Sequence, residues 1–254
     1  MRPPRVLLAA ASREEIWPFV RTCQRRRLPR DQGQGWQVTG PGFQGLAILG
    51  GMGGEGLAAA VAAAAARCQP QLLLVAGFGG ALTPVPPPAG LALASSCWRW
   101  LPDRQELQPQ FLPPPPVPLA ALLNHLHRSG LPAAAGTMIT TRQITPKRLL
   151  LPWIGRLPAP VLDLETADLA ALAHALGLPL LVVRAITDGA GEEIQDFLAQ
   201  IIQRHRGVPL SRLLPALGAR PQRLAYLLHL WRRSRQAGAN LARALTLILA
   251  LVGE

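Results

Sequence analysis

Residues 161–188 constrain the fold more than any other stretch, because they contain a helix pattern and a strand pattern, with an acidic residue before the first and another after the second. A helix is predicted by apolar residues at helical spacing, namely Leu169, Leu172, Ala173 and Leu176. Gly177 stands where a helix end needs a left-handed residue. Residues 180–186 are largely apolar and include three β-branched side chains, as expected of a buried parallel strand. The stretch therefore predicts consecutive strand, helix and strand of an α/β sheet.

Two carboxylates flank this unit. Glu165 opens the predicted helix, and Asp188 follows the predicted strand. In open α/β sheets ligands bind beyond the carboxyl ends of the strands, so both side chains are expected at one rim of the sheet. Without further information, Asp188 could equally be a turn or cap residue, and Glu165 a first-turn acid favoured by the helix dipole.

The same residues resemble the nucleoside phosphorylase and nucleosidase superfamily, and within it the 5′-methylthioadenosine/S-adenosylhomocysteine nucleosidases. Residues 164–166 (Leu-Glu-Thr) are similar to the family's M-E-A-like helix start, and residues 184–188 (Arg-Ala-Ile-Thr-Asp) to its R-A-I-S-D strand end. Residues 6–16 resemble the first strand with its acidic turn, and residues 72–82 the strand and glycine turn facing the ribose. The resemblance implies a three-layer α/β/α fold with a mixed central β-sheet.

The resemblance also implies roles for three acids. Cleavage of a purine N-glycosidic bond develops positive charge on the ribose and negative charge on the departing base. Asp188 would donate a proton to N7 of the purine, and Glu165 would bind the ribose hydroxyls. Glu15 would orient or deprotonate the attacking water, although Glu14 is adjacent and either could be a solvated turn residue.

The expected substrate pocket departs from the methylthioadenosine pattern. Leu164 stands where the family has a methionine beside the ribose, and Phe78 stands where the family has a serine near the glycine turn. The aromatic residue that stacks on adenine corresponds to Ile144, and Gly79 belongs to the glycine turn. Relatives that act on other nucleosides, such as futalosine hydrolase or the hopanoid-associated phosphorylase, therefore stay open as alternatives.

Water is favoured over phosphate as the nucleophile. Hexameric phosphorylases of the superfamily hold phosphate with an arginine and a serine near the glycine turn, where this sequence has Val75 and Phe78. Glu15 lies where they place a phosphate-binding arginine, and a carboxylate there would repel phosphate. Three arginines could still restore an anion site: Arg13, Arg142 and Arg184.

The sequence thus predicts hydrolysis of a purine nucleoside, with methylthioadenosine or S-adenosylhomocysteine as substrate, adenine as product and a place in methionine salvage. The alternatives are a phosphorylase, a hydrolase of another purine nucleoside, or a catalytically idle membrane-associated relative. A homodimer is expected. The early apolar run, residues 6–11, is too short for a signal peptide and reads as the first strand, which favours a cytoplasmic protein.

Composition narrows the possible partners. The formal net charge is +12, but Lys147 is the only lysine and no nucleic-acid-binding motif accompanies the arginines, so nucleic-acid binding is not expected. Three cysteines without paired spacing predict neither a disulfide framework nor a metal site, and no cofactor is implied.

The C-terminal quarter is predicted to be a helical extension. The boundary is placed between a domain of residues 1–206, ending in a helix with Ile194 and Phe197, and an extension of residues 207–254. Two amphipathic helices are expected in the extension, the first in residues 221–235 and the second starting after Asn240. Their apolar stripes could pack on the core or a second subunit, or the arginine-rich segment could rest on anionic lipid.

Overall fold

The protein is described by a computed structural model over residues 3–194 and 221–253. One mixed sheet dominates the fold. Within the described residues its strands are β1 (Arg5–Ala10), β2 (Gln24–Arg27), β3 (Gln34–Gly40), β4 (Phe43–Leu49), β5 (Leu72–Ala81), β6 (Leu91–Leu101), β7 (Glu106–Gln110), β8 (Ala133–Thr140), β9 (Val161–Asp163) and β10 (Leu180–Asp188). The spatial order is β10-β6-β8-β9-β5-β1-β4-β3-β2, with β7 paired to β6.

Helices cover both faces of the sheet. The α-helices in the described ranges are α1 (Arg13–Val20), α2 (Gly54–Cys68), α3 (Leu119–Arg128), α4 (Thr166–Ala175) and α5 (Pro221–Val252). Buried side chains of α1, α3 and α5 form one apolar cluster with the sheet, and those of α2 and α4 form a second. The predicted three-layer fold with a mixed central sheet and a C-terminal helix is thereby confirmed.

Half of the sheet closes on itself. Strand β10 pairs in parallel with β5 and antiparallel with β6, while β8 joins β6 to β9 and β9 returns to β5. Strands β5, β10, β6, β8 and β9 therefore form a closed circuit. All nine residues of β10 are buried, as expected for a strand with neighbours on both edges and helices on both faces.

The predicted glycine turn in residues 77–80 is wrong, because these glycines lie inside β5. Neighbouring side chains explain the composition. A Cβ at Gly77 would lie 2.3 Å from a guanidinium nitrogen of Arg184, and one at Gly80 would lie 2.5 Å from Oδ2 of Asp188. These positions lack side chains because charged groups from β10 occupy the space.

Helix α5 is continuous, so the prediction of two helices with a new start after Asn240 is wrong. The sequence has no proline between residues 222 and 252 to end the helix. The Asn240 side chain donates a hydrogen bond to the carbonyl of Ala89 instead of capping a helix. The second predicted stripe packs on the core, since Leu241, Leu245, Ile248 and Leu249 are buried there.

Some predictions fall outside the described residues. Phe197, most of the helix expected after Ile194 and the boundary between residues 206 and 207 lie there, so the two-part division stays a prediction. In residues 3–194 and 221–253, no helix has both the length and the apolar content needed to cross a bilayer.

Candidate active site

A cavity of about 280 Å³ opens at the end of the closed circuit of strands. This is close to the lower end of the ~300–1,000 Å³ typical of small-molecule sites. All seven residues predicted for the site line it: Glu15, Phe78, Gly79, Ile144, Leu164, Glu165 and Asp188. The structure therefore brings these seven residues together around one cavity.

Arg184 organises the carboxylates at one end of the site. Its side chain is buried, and a terminal nitrogen lies 2.9 Å from Oδ2 of Asp163 and 3.1 Å from Oε2 of Glu165. Burial disfavours the charged guanidinium, but the charges of Asp163, Glu165 and Glu15 outweigh it and raise the pKa of Arg184. One cation is thus surrounded by three carboxyl groups.

Glu165 stands at the first turn of α4, where β9 turns into the helix. Its Oε1 accepts a hydrogen bond of 3.2 Å from the backbone N–H of Gly53, so the loop before α2 also holds the carboxyl group. Burial raises the pKa of Glu165 to about 7; Arg184 opposes the rise, and Asp163 and Glu15 add to it. A carboxyl group that titrates near neutral pH is common in active sites.

Glu15 is buried at the first turn of α1. Its Oε2 accepts a hydrogen bond of 2.7 Å from the backbone N–H of Ser12, which is the reach-back contact of a helix start. Its Oε1 accepts one of 3.1 Å from the backbone N–H of Phe78. Burial raises the pKa of this carboxyl group despite Ser12, Arg184 and Phe78, which makes its ionised form a stronger base than an exposed glutamate.

Asp188 forms an ion pair that the sequence did not predict. Its Oδ2 lies 2.6 Å from Nζ of Lys147, and both side chains are almost fully buried. The same ammonium donates to the carbonyl oxygens of Gly189 at 2.7 Å and Asp188 at 3.3 Å. Oδ1 of Asp188 accepts a hydrogen bond of 2.8 Å from the hydroxyl of Thr187.

The two charged ends of the site are separated along β5. The Arg184 cluster lies against Gly77, and the Lys147–Asp188 pair lies against Gly80. Three residues of a strand span about 10 Å. The cavity therefore offers an acidic cluster at one end and a lysine–aspartate pair at the other, at a separation suited to a molecule with two distinct parts.

The three arginines considered as a phosphate site do not form one. Arg184 is already paired with Asp163 and Glu165. The guanidinium of Arg13 lies 4.1 Å from the ring centre of Trp17, and Arg142 is exposed and does not line the cavity.

Two functional candidates were missed from the sequence, Lys147 and Asp163. A signal for Lys147 existed, because it is the only lysine of the chain and follows closely on the pocket residue Ile144. Asp163 precedes the Leu164-Glu165 motif and accepts a hydrogen bond of 2.7 Å from Thr140 as well as the contacts of Arg184. Its role is to hold the guanidinium, which only the folded geometry reveals.

Comparison with known families agrees with this architecture. Residues 37–215 match the phosphorylase superfamily, which is more than half of the chain. The chain belongs to the phosphorylase superfamily. No curated protein matches the sequence.

Solved structures resemble this superfamily member over almost its full length. The 5′-methylthioadenosine/S-adenosylhomocysteine nucleosidase of Helicobacter pylori has a TM-score of 0.70 at 14% identity, covering 98% of this chain and 99% of its own. The futalosine hydrolase of the same organism has a TM-score of 0.69 at 14% identity, and the match covers 96% of this chain and 97% of the hydrolase. The 5′-methylthioadenosine/S-adenosylhomocysteine nucleosidase of Neisseria meningitidis has a TM-score of 0.69 at 15% identity, and the match covers 98% of this chain and 99% of the nucleosidase. At these identities the likeness shows the shared fold.

Proposed function

We propose that the protein hydrolyses the N-glycosidic bond of a purine nucleoside, with 5′-methylthioadenosine or S-adenosylhomocysteine as substrate and adenine as product. The observation that carries the proposal is the gathering of Glu15, Glu165 and Asp188 in one cavity of a phosphorylase-superfamily fold. Adenine release from methylthioadenosine would give the protein a step in methionine salvage.

In this proposal the ribose lies at the acidic end. Glu165 accepts hydrogen bonds from the ribose hydroxyls, and Glu15 orients the water and takes its proton. Positive charge that develops on the ribose ring is stabilised by the nearby carboxylates. The base packs between the apolar side chains of Phe78 and Ile144, with Leu164 beside the ribose, and leaves at the Asp188 end, where a proton can reach it.

Water is the proposed nucleophile because the ribose end holds carboxylates that already engage the buried Arg184. A phosphate dianion placed beside Glu15 and Glu165 would be repelled by them. Phosphorolysis is the second candidate in the superfamily, and added phosphate decides between the two reactions.

The deciding experiment is chromatography of the bases released from methylthioadenosine, S-adenosylhomocysteine, adenosine, inosine and futalosine, each with and without phosphate. We expect phosphate-independent release of adenine from the thio-substrates. Strict dependence on phosphate would overturn hydrolysis. Release from none of the five would favour a lipid-linked nucleoside or a catalytically idle relative.

A substitution at the base end tests the site itself. Asp188→Asn should leave the fold intact and lower turnover at least ~10²-fold, because protonation of the departing base at this end depends on the Lys147–Asp188 pair. Asp103→Asn is a matched control, because Asp103 is exposed in the turn between β6 and β7 and lies outside the cavity. Equal turnover of the two variants would remove Asp188 from the mechanism.

We further propose a homodimer that covers the segment after Lys147. Leu149, Leu151 and Trp153 each expose about half of their side chain there, which is unusual for three large apolar residues within five positions. Light scattering coupled to size exclusion should give twice the mass of 27.2 kDa. The variant Leu151→Glu should shift that mass to the monomer; a wild-type monomer would contradict the proposal.

Contact with anionic lipid is proposed for the first half of α5. Leu228 and Trp231 are exposed there, and the guanidinium of Arg235 lies 4.8 Å from the centre of the Trp231 ring. An exposed apolar and cationic helix face suits the surface of an anionic bilayer. The double variant Leu228→Ser/Trp231→Ser should lose co-sedimentation with phosphatidylserine vesicles, and equal sedimentation of both proteins would refute it.

A further inference from the structure

The Lys147–Asp188 pair is a built feature of the cavity. Gly80 of β5 lies directly against the pair. A Cβ at this position would lie 2.5 Å from Oδ2 of Asp188 and 3.2 Å from Cε of Lys147, so a side chain would not fit without displacing the pair. The lysine backbone is fixed as well, because its N–H donates to Oε2 of Glu193 at 3.0 Å. Lys147, Asp188 and Glu193 all line the cavity.

The hydrogen bonds assign the protons within the pair. Oδ2 of Asp188 faces the Lys147 ammonium at 2.6 Å, and Oδ1 accepts the Thr187 hydroxyl hydrogen bond at 2.8 Å. A carboxyl group that faces donors at both oxygens is held as the acceptor. The group that carries an acidic proton in the pair is therefore the ammonium of Lys147.

The pair matches one edge of one class of purine. The edge of adenine that carries N7 presents an acceptor, N7, beside a donor, the 6-amino group, whereas a 6-oxopurine presents two acceptors there. An ammonium beside a carboxylate offers one donor and one acceptor. The pair is therefore complementary to a 6-aminopurine, and its carboxylate would face the oxygen of a 6-oxopurine.

We propose that Lys147 is the catalytic acid that protonates N7 of the departing base, while Asp188 accepts a hydrogen bond from the 6-amino group. This inference rests on the proposed function and changes the sequence-based assignment, which gave the proton to Asp188. The hydrogen bond from Lys147 to the Asp188 carbonyl is the longest of its contacts, at 3.3 Å, and is the one that N7 replaces.

The step is balanced in protons and electrons. The bond between C1′ and N9 breaks, and its electron pair goes to the base. A proton moves from Nζ of Lys147 to N7, so adenine leaves neutral and the lysine becomes a neutral amine. Water adds to C1′ and gives its proton to Glu15. Exchange with solvent returns a proton to Lys147 and removes one from Glu15.

Two substitutions separate catalysis from positioning. Lys147→Met removes charge and proton, whereas Lys147→Arg keeps the ion pair but supplies a guanidinium that does not release its proton. We expect both variants to lose ~10²–10⁴-fold in turnover of methylthioadenosine. Recovery of wild-type turnover by Lys147→Arg would show that the lysine only positions Asp188, and would overturn the proposal.

A substrate that needs no proton on its leaving group gives a second readout. 4-Nitrophenyl riboside releases a stable anion, so Lys147→Met should cleave it as fast as the wild type does. The ratio of its turnover to that of adenosine should therefore rise at least ~10²-fold in this variant. Arg148→Met is the matched control, since that neighbouring side chain is exposed and outside the cavity. Equal losses on both substrates would mean a damaged fold or pocket and would refute the acid role.

Base selectivity tests the role of Asp188. Asp188→Asn replaces an acceptor by a group that can also donate, so the preference for adenosine over inosine in kcat/KM should fall at least tenfold. An unchanged preference would refute the contact with the 6-amino group. If the wild-type protein cleaves no purine nucleoside, the proposed function fails; if it cleaves them and Lys147→Met does too, only this inference fails.

Discussion

The titration of Glu165 should appear directly in the stability of the protein. Its pKa rises from an ordinary 4.5 to about 7 on folding. Between these values the native carboxyl group still holds a proton that the unfolded chain has lost. Stability therefore falls as the pH rises through this window, and the group contributes its full share only below about pH 4.5.

The magnitude follows from the shift. One pKa unit corresponds to ~1.4 kcal/mol, so a rise of about 2.5 units between the two quoted values corresponds to about 3 kcal/mol. The variant Glu165→Gln cannot titrate, and Asp163 continues to pair with Arg184. Between pH 4.5 and 8 the free energy of unfolding should therefore fall by about 3 kcal/mol less in this variant than in the wild type.

Urea denaturation at half-unit steps of pH measures both curves. The pKa of Glu15 is also raised by burial, so a fall in the same direction should persist in Glu165→Gln. Glu55→Gln is the matched control, because Glu55 is exposed at the start of α2. Parallel curves for wild type and Glu165→Gln would refute the reasoning.

Three further substitutions probe the site and the core. Gly80→Ala should lower turnover about 10²-fold, because its Cβ would displace the carboxylate of Asp188; Gly155→Ala, with open space around it, should leave adenine release unchanged. Arg184→Met leaves buried carboxyl groups unpaired and should cost about 3–5 kcal/mol in urea denaturation. Leu245→Ala in α5 should cost about 2–5 kcal/mol in the same assay, and a loss under 1 kcal/mol would show that the helix is dispensable.

The order of elements could be predicted from the sequence because local patterns specify it. Residues 180–186 have the apolar, β-branched character of a strand with two covered faces, and β10 is buried throughout. Gly177 has the left-handed φ of 63° expected after a helix. Both patterns depend on residues close in sequence, so they can be recognised without knowing which elements pack against them.

The errors have the opposite origin. Glycine permits tight turns, so the sequence favours a turn at residues 77–80, whereas in the structure these glycines leave room for side chains of the neighbouring strands β9 and β10. The pairing of Lys147 with Asp188 joins residues 41 positions apart and has no local signature. Only the parallel pairing of β10 with β5 makes Gly80 the neighbour of Asp188.

The proposed reaction would make use of the way charges are arranged in the cavity. At the Gly77 end three carboxyl groups, Asp163, Glu165 and Glu15, surround the guanidinium of Arg184, so within the described residues that cluster carries surplus negative charge when they are ionised. At the Gly80 end the Lys147 ammonium is paired with Asp188, and the carboxylate of Glu193 accepts hydrogen bonds from the backbone N–H groups of Lys147 and Arg148. Breaking an N-glycosidic bond moves positive charge to the sugar and negative charge to the base, and preorganised charges of opposite sign stabilise both. We therefore expect a nucleoside to bind with its ribose at the Gly77 end, where the carboxylates can stabilise the positive charge, and with its base beside the Lys147 ammonium.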